Sequence, residues 1–340
     1  MEVKLKQVIW NQYFDELKER YIIYAPVCKK GKGKFAETDV IGYDQVQLPK
    51  EIVWDQKSYF SPKEMIFPIR ETLFRYEEGR ASVPEINHKP ILVILRPCDI
   101  NGIEKLDCIF LKNGNEKDYY YERRRKLVKF MMIECTEGFD TCFCVSMKSN
   151  ITEHYDAAIS FKGDEIFINI KDSELVTDCL KNAPSIQYKP NFIKENKVKV
   201  TIPDVNKVTN ECFQNPLWTE YAGRCIACGR CNTSCVTCSC FSMQDVMLSD
   251  DSAVGERRRV WAGCHVDGFS DMAGGHRFRN NKGERMRFKT MHKINDFYRR
   301  FSSHMCVGCG RCDDVCPEYI SFSKCINRLN RIIEEVDHGE

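Results

Sequence analysis

The sequence predicts an α+β/α/β fold. A mixed α/β domain is expected over residues 1–205, followed by a mainly helical domain over residues 206–340 built around clustered cysteines. Three observations carry this expectation. Between residues 91 and 134 a buried-strand run, a helix and a second strand follow one another, the pattern of a βαβ unit. Strand signals fade after about residue 205, where the Pro/Asn/Lys-containing stretch 203–210 offers a boundary. Most of the 20 cysteines lie beyond that point. At 340 residues with 43% apolar content, the chain is long enough to bury two cores.

Taken in order, Leu5, Val8, Ile9, Gln12, Tyr13, Leu17 and Tyr21 recur at three- and four-residue spacing and predict a first helix. A short strand over 21–27 follows, then a polar Lys/Gly turn over 29–34 that lacks the glycines of a phosphate-binding loop. Ile91–Leu95 is continuously apolar, as expected of a strand buried on both faces. Arg96-Pro97-Cys98 breaks it, and Asp99 is placed to cap a helix running to Phe110. A second parallel strand is expected over 127–134. Residues 158–161 and 165–170, around Lys162-Gly163-Asp164, read as a hairpin. A closing helix is expected over 320–336.

The cysteines set the chemistry. Cys-x-x-Cys-Gly-Arg-Cys-x-x-x-Cys occurs twice, at Cys225, Cys228, Cys231, Cys235 and at Cys306, Cys309, Cys312, Cys316. This is the spacing of the bacterial ferredoxin run, in which the fourth cysteine ligates the other run's cluster. The second domain should therefore be dicluster ferredoxin-like. One [4Fe–4S] cluster would take Cys225, Cys228, Cys231 and Cys316, the other Cys306, Cys309, Cys312 and Cys235. Structural zinc favours two well-separated Cys or Cys/His pairs instead. Disulfides need an oxidising compartment, and no secretory signal is evident. Pro317 follows the second run as expected, but Val236 follows the first. Cys235 is thus the least constrained of the eight, and Cys238, Cys240 and Cys264 are alternatives to it.

Cys98 and Cys135 each fall just past a predicted parallel strand, the edge where ligands gather in α/β sheets. With Cys142 and Cys144 they make a candidate third [4Fe–4S] site, against the plainer reading of buried thiols as small hydrophobes. Cys28, Cys108, Cys179, Cys212 and Cys325 look isolated. Between the ferredoxin runs lies a basic insertion, 241–305, whose charges, Lys289 and Lys293 among them, read as offsetting the clustered thiolates or facing solvent, or else as a docking surface for an acidic partner. His265, His276 and Gly274-Gly275 within it are a candidate anion site.

The net charge of +2 gives no case for nucleic acid or anionic membrane, and no apolar run approaches bilayer-spanning length. No Gly-x-Gly-x-x-Gly follows a strand, so no flavin or nicotinamide site is expected on this chain. Twenty cysteines without an export signal point to the reducing cytoplasm. An electron carrier without a visible substrate centre is expected to relay electrons between other subunits.

Several segments together resemble the iron–sulfur electron-transfer subunit of the anaerobic sulfite reductases over nearly the whole length. They are Arg96-Pro97-Cys98-Asp99, the segment Phe139–Met147 with Cys142 and Cys144, Cys225–Cys231 of the first ferredoxin run, the segment Thr237–Asp245 with Cys238 and Cys240, and Ala273-Gly274-Gly275-His276. The resemblance implies a flavin- and NADH-binding reductase partner and a sirohaem subunit that reduces sulfite to sulfide, with this chain between them. The electron-transfer β subunit of soluble sulfur-reducing nickel–iron hydrogenases has a similar layout and is the alternative. A redox-sensing iron–sulfur binding protein is a third reading, from a different class.

Overall fold

The computed structural model describes residues 1–33, 37–248 and 254–338. Lys34 of the expected polar turn and residues 249–253 of the basic insertion lie outside these. The strands are β1 (Glu2–Lys6), β2 (Ile22–Lys29), β3 (Val40–Gln45), β4 (Arg70–Glu77), β5 (Arg80–Ser82), β6 (Ile91–Leu95), β7 (Val128–Ile133), β8 (Ala157–Lys162), β9 (Glu165–Ile170), β10 (Phe241–Met247) and β11 (Val254–Trp261). Seven of them form one sheet in the order β1-β9-β8-β7-β6-β2-β3. Its centre, β8-β7-β6-β2, is parallel, and antiparallel strands flank it on both sides.

The continuous apolar run of β6 has the predicted cause. Leu92 and Ile94 face a core with Trp10, Phe14 and Leu17 of the helix Gln7–Arg20. Val93 and Leu95 face the opposite core, with Ile100, Ile103 and Leu106 of the helix Pro97–Leu111. Both faces are covered, so the strand cannot alternate. A third core joins Leu217, Trp218, Met286 and Ile294 to Ile326 and Leu329 of the terminal helix Phe322–His338. Cys212 and Cys325 are packed in it, while Cys28 is exposed and donates to Asp39.

Three expectations are corrected. Leu5 belongs to β1, and the first helix begins only at Gln7. Asp99 does not cap its helix. Arg96 is the N-cap residue, with no side-chain cap, and the Asp99 carboxylate accepts from Arg311 instead. The cysteine-rich half is not mainly helical, because its insertion folds into the hairpin β10–β11. That hairpin pairs with β4 and β5 in a second sheet, so strands from both sides of residue 205 share one ladder.

The hairpin's arginines form ion pairs, buried at Arg259 and exposed at Arg257. Arg259, only 2% exposed, reaches Glu71 at 2.9 Å and Asp118 at 2.7 Å, and Arg257 grips Asp245 at 2.7 Å through two nitrogens.

Val236, where a proline is expected, is fully buried against the Pro97–Leu111 helix. A Cβ on Gly102 would stand 2.2 Å from Val236 Cγ1. Val is stiff at χ1 and cannot swing away. Gly102→Ala should therefore destabilise the protein by about 1–2 kcal/mol, despite alanine's better helix propensity. Thermal unfolding under anaerobic conditions checks this.

Candidate metal centres

The two ferredoxin runs have the same backbone. Gly229 and Gly310 hold left-handed positions, φ +72° and +71°, and each opens a single helical turn. Two residues before them, Ala227 and Gly308 are also left-handed, φ +59° and +61°. Their N–H groups donate to Cys225 Sγ at 3.3 Å and Cys306 Sγ at 3.4 Å. Glycine is needed at 308 and 310 for a second reason. Added Cβ atoms there would meet the backbone of Phe143 at 2.6 Å and of Thr141 at 2.3 Å. The second run is thus pressed against the Thr141–Cys144 segment, and Phe143 N–H donates to Gly308 O at 2.8 Å.

These contacts bring thiols together in three groups. Cys225, Cys228, Cys231 and Cys316 line one cavity at the surface, where Cys228 is exposed. In the second group, Cys306 feels the charges of Cys235 and Cys309, and Cys312 those of Cys306 and Cys309. In the third, Cys98 feels Cys144, Cys142 feels Cys135, and Cys144 feels both Cys142 and Cys135. Cys312 also lines the first cavity, and Cys309 also acts on Cys98 and Cys144. The three groups therefore adjoin in a row, with Cys228 exposed at one end and Cys135 half-buried beside exposed Thr136 and Glu137 at the other. Among the described residues no three Cys, His, Asp or Glu converge as a site for a single metal ion.

Buried cations accompany each group. Lys289 lines the first cavity and is 4% exposed. Burial alone would lower its pKa, but the charges of Cys231 and Cys312 hold it well above the ordinary lysine value. Lys293 Nζ stands 3.5 Å from Cys235 Sγ and 2.7 Å from Thr237 Oγ1. It too is pushed up against the effect of burial, by Cys235 and Cys238. Cys235 is correspondingly held well below the usual thiol value, first by a hydrogen bond with Cys238 and then, against burial, by Lys293.

At the N-terminal group, Arg96 Nη1 lies 3.2 Å from Cys135 Sγ, and its other acceptors are the carbonyls of Trp54 and Gln56. A buried ammonium or guanidinium without an anion is costly. The groups that raise these three cations are sulfurs, joined at Arg96 by the Tyr43 phenol. Four thiols around a buried cation suit an anionic iron–sulfur cluster, so the residues present fit that group.

Burial pushes the thiols of Cys306 and Cys144 up to about 12. Such thiols surrender their protons on binding metal. His265, 2% exposed, has its Nδ1 3.7 Å from Cys225 Sγ and no hydrogen-bond partner at Nε2. Burial depresses its pKa to about 3, so it is a neutral neighbour of the first group. His276 and Gly274-Gly275 are exposed, whereas His265 is buried beside Cys225.

Sequence reasoning passes over Lys63, and names Lys289 and Lys293 only among the insertion's charges, read as offsetting thiolates or facing solvent. The signal for the last two is present: two lysines four apart among Met286, Met291 and Ile294, at positions where a helix buries its apolar face. The helix is interrupted at Lys293 by a π-helical segment, His292–Asp296, a feature frequent at functional sites.

Residues 224–320 match the family described as 4Fe-4S dicluster domain. Over 343 residues the chain is 27% identical to sulfhydrogenase 2 subunit beta of Pyrococcus furiosus, covering 96% of this chain and 98% of that protein. No solved structure matches. Among the described residues no helix is long and apolar enough to cross a membrane.

Proposed function

We propose that this chain is the electron-transfer subunit of a cytoplasmic sulfur-metabolising redox complex of the sulfhydrogenase type. Two clusters would be held by the ferredoxin cysteines, crossed as Cys316 and Cys235, and a third by Cys98, Cys135, Cys142 and Cys144. The observation that carries this reading is the row of three four-thiol groups, with Cys312 and Cys309 standing between neighbours. Such clusters supply one-electron transfer at potentials set by charge, burial and hydrogen bonds to sulfur.

The chain's own residues do the rest. Backbone N–H groups of Ala227 and Gly308 steady the sulfurs, Lys289, Lys293 and Arg96 offset their charge, and the packed loops bury Cys98, Cys142, Cys144 and Cys309. Exposed Cys228 marks the outer end of the row as the side facing a partner. Full-length similarity to a sulfhydrogenase β subunit favours the hydrogenase reading over the sulfite reductase one. The second reading is retained for the motifs shared with the electron-transfer subunit of the sulfite reductases. It assigns the flavin/NADH reductase and the sirohaem subunit as partners.

Anaerobic purification from the native cells, with the tag on this chain, separates the two. Nickel in the co-purifying subunit is the expected result. Sirohaem without nickel would make the complex a sulfite reductase, and a chain that copurifies with no redox subunit would contradict the relay itself.

A further inference from the structure

Three further thiols, Cys238, Cys240 and Cys264, lie beside the row. The basic hairpin brings them together. Phe241 pairs with Trp261 at its base, so Cys240 and Cys264 flank its two ends. Ala262 N–H donates to Cys240 O at 2.9 Å, and the Cys264 N–H donates to the Cys240 sulfur. Cys238 joins them through a buried amide, because Asn232 Nδ2 stands 3.6 Å from Cys238 Sγ and 3.3 Å from Cys264 Sγ.

Two independent observations point to a ligand. Lys63 is 2% exposed, with its ammonium 2.9 Å from Cys238 O and 4.0 Å over the Trp261 ring. No carboxylate pairs with it among the described residues. As at the other groups, a buried basic side chain faces sulfurs, here Cys238 and Cys235, though burial outweighs them and lowers the Lys63 pKa; thiols kept merely as small hydrophobes do not call for a buried lysine. The second observation is in the sequence. Thr-Cys-x-Cys-x-Ser-Met occurs twice, from Thr141 to Met147 and from Thr237 to Met243. The first copy presents Cys142 and Cys144 to the N-terminal group, and the second presents Cys238 and Cys240 here.

We propose that Cys238, Cys240 and Cys264 are the thiolate ligands of a further iron–sulfur cluster, beside the outer end of the row. Each thiol releases its proton as its Fe–S bond forms. Cys264 feels the charge of Cys231, and Cys238 shares a hydrogen bond with Cys235, so this site adjoins the first group and touches the second, and would branch the electron path at the first. The role as a branch rests on the first group holding a cluster; the site itself does not.

The test is iron and acid-labile sulfide per full-length chain after anaerobic reconstitution with ⁵⁷Fe and sulfide, with Mössbauer spectra. The double variant Cys240→Ser, Cys264→Ser should lose about three to four irons relative to the parent, leaving the other signals intact. Unchanged iron in that variant overturns the proposal. Cys142→Ser, measured alongside, reports separately on the N-terminal group. Should the double variant fail to fold, the parent count decides. Where Cys142→Ser loses about four irons, about fifteen or sixteen in the parent support the site and about twelve overturn it. Where Cys142→Ser loses none, both thresholds fall by about four.

Discussion

Lys293→Met should lower the midpoint potential of the cluster assigned to Cys306, Cys309, Cys312 and Cys235 by on the order of 100 mV. The ammonium lies 3.5 Å from Cys235 Sγ and acts on Cys306 as well. A positive charge at about 5 Å contributes about 3 kcal/mol at an effective dielectric constant of about 20. The reduced cluster carries the extra negative charge, so removing the cation disfavours reduction. At about 59 mV per 1.4 kcal/mol for one electron, the shift is about 130 mV downward. Methionine keeps the volume and apolar packing of the stem, and Lys293→Arg should retain most of the parent potential. A redox titration followed by electron paramagnetic resonance reads both. A Lys293→Met potential within about 20 mV of the parent would remove the lysine from any role in tuning.

Arg311→Leu should be the most destabilising single change away from the cysteines. Arg311 is 1% exposed and reaches both oxygens of Asp99, at 2.5 and 2.9 Å, while also donating to Ser58 O at 2.9 Å. Asp99 is fully buried, and its carboxylate also accepts from Tyr43, at 3.3 Å. Truncating one partner of such a pair leaves a buried charge and costs about 3–5 kcal/mol, whereas replacing both by apolar residues is often near neutral. The single variant should thus melt well below the parent, and Asp99→Leu combined with Arg311→Leu should recover much of the loss. Anaerobic melts followed by far-ultraviolet circular dichroism compare the three proteins. A single variant that melts like the parent would show the pair to be dispensable. The pair lies between Cys98 and Cys309, so its loss should also loosen the contact between the second and third thiol groups.

The parts of the fold legible in the sequence are those where local pattern and tertiary environment agree. Ile91–Leu95 is apolar because cores cover both its faces, and the hairpin around Gly163 follows from alternation and a turn that needs φ +59°. The ferredoxin runs are readable because spacing along the chain is itself the geometry.

What escapes a sequence reading is set by distant partners. Val254–Trp261 contains Gly255-Glu256-Arg257-Arg258-Arg259, which reads as solvated charge until Glu71 and Asp118 are brought to Arg259 by another part of the chain. Strand β10 is mostly exposed and shows no alternation between faces, so nothing local marks it. Asp99 reads as a helix cap because its short-range context allows one. Its carboxylate is claimed by an arginine more than two hundred residues away. Which of the insertion's cations offset thiolates is hidden for the same reason: the sulfurs that face Lys289 and Lys293 are gathered by the fold.

The most direct test of the relay is iron per chain in anaerobically purified parent, Cys98→Ser and Cys142→Ser proteins, with folding checked by circular dichroism. A third cluster in the N-terminal group requires each variant to lose about four irons relative to the parent while the ferredoxin-type signals persist. Iron that stays at the parent level in both folded variants would contradict it and leave those four cysteines as packing.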